Sequence, residues 1–146
     1  FRTQTLTALV EMFDDHSEIR FSGTTNGAET HKMSILWMPD GYQIGLEEFD
    51  ESRMIIRAEG ENGENLDVTA TAISKNRSYS FDTEGAIEES AMVQSNEAGV
   101  YQMKTEKGDK ITVLWTDIEK GWIVKVTGYN ISKEDMLRIS ESVEIR

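Results

Sequence analysis

The sequence has no cysteine, one proline, two histidines and no apolar run near the roughly 20 residues that cross a bilayer as a helix. Without cysteine there are no disulfides and no thiolate metal sites, and either redox compartment is tolerated. Two histidines leave little material for a base beside a nucleophile, and His16 and His31 are too far apart in sequence for a His-x-x-x-His zinc motif. Basic residues are also scarce, 15 against 27 acids, giving a formal charge of -12. Such a surface repels phosphate backbones and anionic lipid heads, which argues against nucleic acid as a partner. No charged n-region followed by an apolar h-region opens the chain. It starts at Phe1, so a signal or membrane anchor is expected upstream.

What is present fits one domain over residues 1–146, long enough to bury a substantial core. Leu6, Leu9, Val10 and Phe13 have the i, i+3, i+4, i+7 spacing of one helical face, so a helix is expected over residues 3–13. From residue 18 onward short β-prone runs alternate with turn residues. Strands are expected over 19–22, 33–38, 42–49, 54–58, 66–73, 78–81, 99–105, 111–116 and 122–128. Asn26-Gly27 and Asn62-Gly63 suit type I′ hairpins, and Pro39-Asp40-Gly41 reads as a turn joining the strands on either side of it. Residues 82–90 have too little apolar periodicity and are read as a loop. The last three strands form a meander, with Ile111, Val113 and Trp115, and Trp122, Val124 and Val126, on its inner face.

The final segment has a marked helix start. Ser132 is the N-cap, Asp135 the acid three residues on, and Ile131 with Met136 the hydrophobic staple. Met136, Ile139, Ser140 and Val143 then line one face. The expected fold is α+β, mainly an antiparallel sheet of hairpins and a meander with an N-terminal and a C-terminal helix.

Few groups suggest chemistry. His16, after Asp14 and Asp15, reads as a cation near the end of the first helix, and His31 as a surface residue at a strand entrance. Glu47, Glu48, Asp50 and Glu51, and Glu59, Glu61 and Glu64, lack the alternating oxygen ligands and distal glutamate of a calcium loop, so they read as solvated tips. Trp37, Trp115 and Trp122 are in phase with aliphatics on their strands and read as core, not as an aromatic platform. No phosphate loop, dinucleotide fingerprint or nucleophile elbow is present. No catalytic, metal or cofactor residue is assigned. Candidate surfaces for recognition are the acidic tip at Glu59 to Glu64 and the tract from Glu84 to Glu89.

Several segments taken together resemble the bacterial domain-of-unknown-function family numbered 4367. They are Trp37-Met38-Pro39-Asp40-Gly41-Tyr42, Asp82-Thr83-Glu84, Leu114-Trp115-Thr116, and the ending from Ile131 to Ser142. Ser140 departs from the alanine usual in that family. The resemblance implies an extracytoplasmic setting, as the outer part of a membrane-anchored protein or lipoprotein of Gram-positive bacteria, some arranged like anti-sigma factors. It implies no chemistry. The expected function is a non-catalytic binding or sensing ectodomain whose partner is an envelope protein, peptide or other ligand. The alternative is a lipid or lipoprotein carrier with an apolar pocket, and a hydrolase using carboxylates alone is disfavoured because it lacks a nucleophile and base.

Overall fold

The computed structural model describes residues 31–73 and 85–146 with their side chains, and the backbone of residues 6–12, 16–23 and 78–82. Its centre is a seven-stranded antiparallel sheet of order β4-β5-β6-β11-β10-β9-β8. The strands are β4 Gln43–Phe49, β5 Arg53–Glu59, β6 Asn65–Ala72, β8 Ile87–Val93, β9 Asn96–Thr105, β10 Gly108–Asp117 and β11 Trp122–Tyr129. Two meanders, β4-β5-β6 and β8-β9-β10-β11, meet where β6 pairs with β11 from Asn65↔Tyr129 to Ala72↔Trp122.

The period-two pattern sets the register. Val126 lies opposite Val113 on β10 and Val68 on β6, and Val113 opposite Val100 on β9, so one apolar row runs across four strands. This face is covered by α1 (Lys133–Glu141) and by a two-stranded ribbon of β3 (Met33–Ile35) and β12 (Val143–Ile145). Met33, Met54, Ile56, Trp122, Met136 and Ile139 are buried between the layers. Gly128 marks the closest approach of sheet and helix, since a Cβ there would run into the Met136 sulfur. The opposite face carries a smaller buried group of Ile73, Tyr101, Leu114 and Ile123.

The cap of α1 forms as its residues dictate: Ser132 Oγ accepts the Asp135 N–H at 3.1 Å. Ser140 is buried in an otherwise apolar layer, and its hydroxyl is satisfied by donating to Met136 O at 2.8 Å, one turn back.

The structure corrects five of the sequence expectations. In place of a helix over 3–13, Leu6–Met12 is a strand (β1) paired antiparallel with β2 (His16–Gly23), which also pairs with β7 (Ser78–Asp82). Leu6, Ala8, Val10 and Met12 alternate, so the stretch fits a period of two as well as one of 3.6, and its β-branched Thr7 and Val10 favour the strand. Residues 3–5 and 13, like Asn26-Gly27, lie outside the described residues.

Second, β3 pairs with β12 across most of the chain and not with β4, because the residues after Ile35 leave the strand to cross toward the helix. Third, α1 ends at Glu141, so Val143 belongs to β12. Fourth, residues 87–90 are not loop but the start of β8, an edge strand whose Glu88, Glu89 and Ser90 are exposed and therefore erase the apolar signal. Fifth, the Asn62-Gly63 turn is not type I′. Gly63 alone of the two has positive φ, at 84°, and the loop closes through Gly60 N–H to Glu64 O at 2.9 Å.

A candidate binding groove at the β4 edge

β4 is an outer strand of the large sheet, and six of its seven residues are exposed. Its neighbour β5 buries Met54, Ile55, Ile56 and Ala58, so the layers that cover the sheet stop one strand short of the edge. Register slips at Gly45, between Ile44↔Ala58 and Leu46↔Arg57. Ile44 and Phe49 lie on the helix side, opposite Ala58 and Met54, and stay 43% and 37% exposed.

Two turns fix the strand's ends. At the start, Tyr42 N–H donates to Pro39 O at 3.4 Å, and Gly41 takes φ 86° as the turn requires. At the end, the Asp50 carboxylate accepts from Ser52 N–H and Arg53 N–H, both at 2.8 Å, and from the Ser52 hydroxyl at 3.1 Å. These bonds hold the Asp50 carboxyl below its usual pKa, the Ser52 amide contributing most.

The acidic tip at 59–64 folds back on the first turn. Glu64 Oε1 accepts the Asn62 N–H at 2.8 Å, and the Glu61 carboxylate stands where a Cβ on Gly41 would fall. Between tip and strand runs a groove of about 710 Å3, walled by Tyr42, Ile44, Leu46, Arg57, Glu59 and Glu61. Arg57 is turned toward Asp67, with Nε to Oδ2 at 3.1 Å.

Burial, followed by the carboxylates of Glu64 and Asp135, pushes the Tyr42 phenol up from 10.0 to about 12. The absorbance difference between the wild type and Tyr42→Phe isolates this phenol, and its midpoint is expected near 12. The folded value lies above the unfolded one, so this phenol leaves stability unchanged below pH 10 and lowers it as pH rises from 10 through about 12. Tyr42→Phe should remove that loss, and a midpoint near 10 would contradict the partly buried placement beside Glu64.

The other sequence candidates have structural employment. Glu89 accepts from Lys133 Nζ at 2.8 Å and from Gln102 Nε2 at 2.6 Å, and these contacts, Lys133 first, lower its pKa. That pair ties an edge strand to the start of α1. Glu84 is outside the described residues, as is the side chain of His16. His31 is half-buried, not a plain surface residue: its Nδ1 lies 3.1 Å from Arg146 O, and its ring meets Trp122 edge-on at 5.6 Å. Trp115 and Trp122 are buried in the core, while Trp37 sits partly buried with the Arg138 guanidinium 4.0 Å from its ring centre. Among the described residues, no three His, Asp or Glu side chains converge as a metal would require.

Residues 32–143 match the sequence model of the family described as domain of unknown function (DUF4367). The chain belongs to that family. Within the DUF4367 span lie the turn at 39–42 that opens β4, the Trp115 strand and the capped helix, three of the four segments that carry the likeness, while Thr83 and Glu84 of the fourth lie outside the described residues. No curated protein and no solved structure matches the chain.

Sequence reasoning missed one feature near the far edge. Gln94 and Ser95 form the β8–β9 turn with φ 54° and 68°, a left-handed pair without glycine. The Gln94 amide donates to three carbonyls, Val143 O at 2.5 Å, Ser140 O at 3.1 Å and Glu141 O at 3.3 Å. Its backbone N–H donates to Glu141 Oε2 at 2.8 Å. One residue thus fastens the end of α1 and the start of β12 to the sheet. The local sequence has no glycine or asparagine at these two positions to signal the turn.

Proposed function

We propose that this domain is a non-catalytic, extracytoplasmic binding or sensing module of a membrane-anchored bacterial protein, and that its partner is an envelope protein or peptide. The observation that supports the reading is the acid-walled groove along β4, an accessible surface held by two hydrogen-bonded turns on a rigid sheet. The lipid-carrier alternative has less behind it, because side chains of Met33, Trp122, Met136 and Ile139 fill the space between helix and sheet.

The chain has no cysteine, so Asn62→Cys puts a single thiol at the exposed tip. A membrane-impermeant maleimide applied to intact cells is expected to label it, and labelling only after lysis would overturn the extracytoplasmic setting. A photoreactive residue in place of Glu61, on the groove wall, is expected to give a discrete protein adduct in those cells. Labelling at the tip without any adduct would remove the binding role.

A further inference from the structure

We propose that the open edge of β4 takes up an extended basic segment of a partner protein as an eighth strand of the sheet. The inference rests on the binding reading above and gives that partner a chemistry and a pose.

The backbone is in position for it. Asp50 N–H donates to Arg53 O, and Ala72 N–H to Ser52 O. Counting from these bonds along an antiparallel ladder, β5 turns Arg53, Ile55 and Arg57 toward β4, and Met54 and Ile56 toward β6. Their partners Glu48 and Leu46 therefore spend their main-chain groups on β5. The N–H and C=O groups of Glu47 and Phe49 face outward, where an added strand finds donors and acceptors at the sheet's own spacing.

The side chains select the occupant. An incoming strand lays alternate residues beside Ile44 and Phe49, whose exposure a modest apolar side chain would end. Glu47, opposite Ile56, shares that face between them. The guest's other residues meet Glu48 on the strand, with Asp50 and Glu51 in the closing turn and Glu59 and Glu61 across the groove adding negative charge around the edge. The nearby Arg57 is already opposed by Asp67. A second copy of this chain, at -12, would bring Glu47 and Glu48 against their own kind, so the acids reject self-pairing and leave a lysine- or arginine-bearing strand as the complementary guest.

The test is fluorescence anisotropy with a labelled peptide of about seven residues alternating lysine and valine, a length matching β4 at about 3.3 Å per residue. It is compared with the same peptide N-methylated at alternate positions, and with a glutamate–valine peptide. The basic peptide is expected to bind, the glutamate–valine peptide not. N-methylation on the edge-facing register should weaken binding about ten-fold or more, through loss of main-chain bonds that charge alone does not need. The double variant Glu47→Lys, Glu48→Lys should lose binding to a similar extent, while Glu88→Lys on the opposite edge should keep it. Equal binding of the methylated peptide, full binding by the double variant or no binding at all would overturn the β4 site. Because an adduct at position 61 in cells is read independently, these failures leave the binding role standing, and the absence of any adduct removes both.

Discussion

Trp122→Ala is expected to lower stability by about 3–5 kcal/mol, a large part of what holds a domain of this size together. The indole is 1% exposed and lies under His31, with Val124 and Val126 following on the same face of β11. Removing it opens a cavity that the surrounding ribbon and sheet cannot both collapse into. Thermal melting should fall by roughly 10 °C or more, given about 2–4 °C per kcal/mol for domains of this length. Among the described residues the indole Nε1 has no hydrogen-bond partner, and the ring is buried among apolar side chains, so packing is the main loss and Trp122→Phe should retain most of the stability. A shift below about 2 °C for the alanine variant would mean that the two covering layers are not joined through this side chain.

Gln94→Ala should cost about 1–3 kcal/mol, because three carbonyls lose their shared donor while the Glu141 contact to the main chain stays. Gln94→Gly removes the same amide but also relieves a left-handed backbone of φ 54°, so it should be milder than alanine by about 1 kcal/mol. Urea melts of the two variants measure that difference, and hydrogen exchange should show the amides of residues 138–145 opening first. Equal loss in both variants would show that the turn stores no strain. Unchanged exchange at the end of α1 would show that the clasp does not hold it.

What the sequence made legible was local. Ile111, Val113 and Trp115 on β10, and Leu66, Val68 and Ala70 on β6, alternate so cleanly that their inner face could be assigned without coordinates. Ser132, Asp135, Ile131 and Met136 sit at fixed spacings within one turn of a helix, so its start could be placed to the residue. The failures are of another kind. Leu6–Met12 satisfies two periods at once, and only the partner β2 decides between them. Three-residue strands such as Val143–Ile145 carry no period at all, so the β3–β12 ribbon could not be anticipated.

The candidate groove divides in the same way. Pro39, Gly41, Asn62 and Gly63 announced two turns. Nothing in their spacing announced that the Glu61 carboxylate would settle against Gly41 and close a wall beside β4. Gln94 is harder still, since its worth lies entirely in carbonyls more than forty residues away.

The seam between β6 and β11 also governs how fast the molecule can form. Ala72 and Trp122 are neighbours in space but fifty residues apart in the chain, so the entropy of closing that loop must be met before the pairing returns anything. Each meander can zip along its own hairpins, and α1 packs on β8, β10 and β11 of the second, yet β6 and β11 complete one continuous apolar face only when the seam is made. Refolding is therefore set by the collision of two half-sheets, in the millisecond-to-second range typical of non-local β topologies, at roughly 10⁻³ to 1 s.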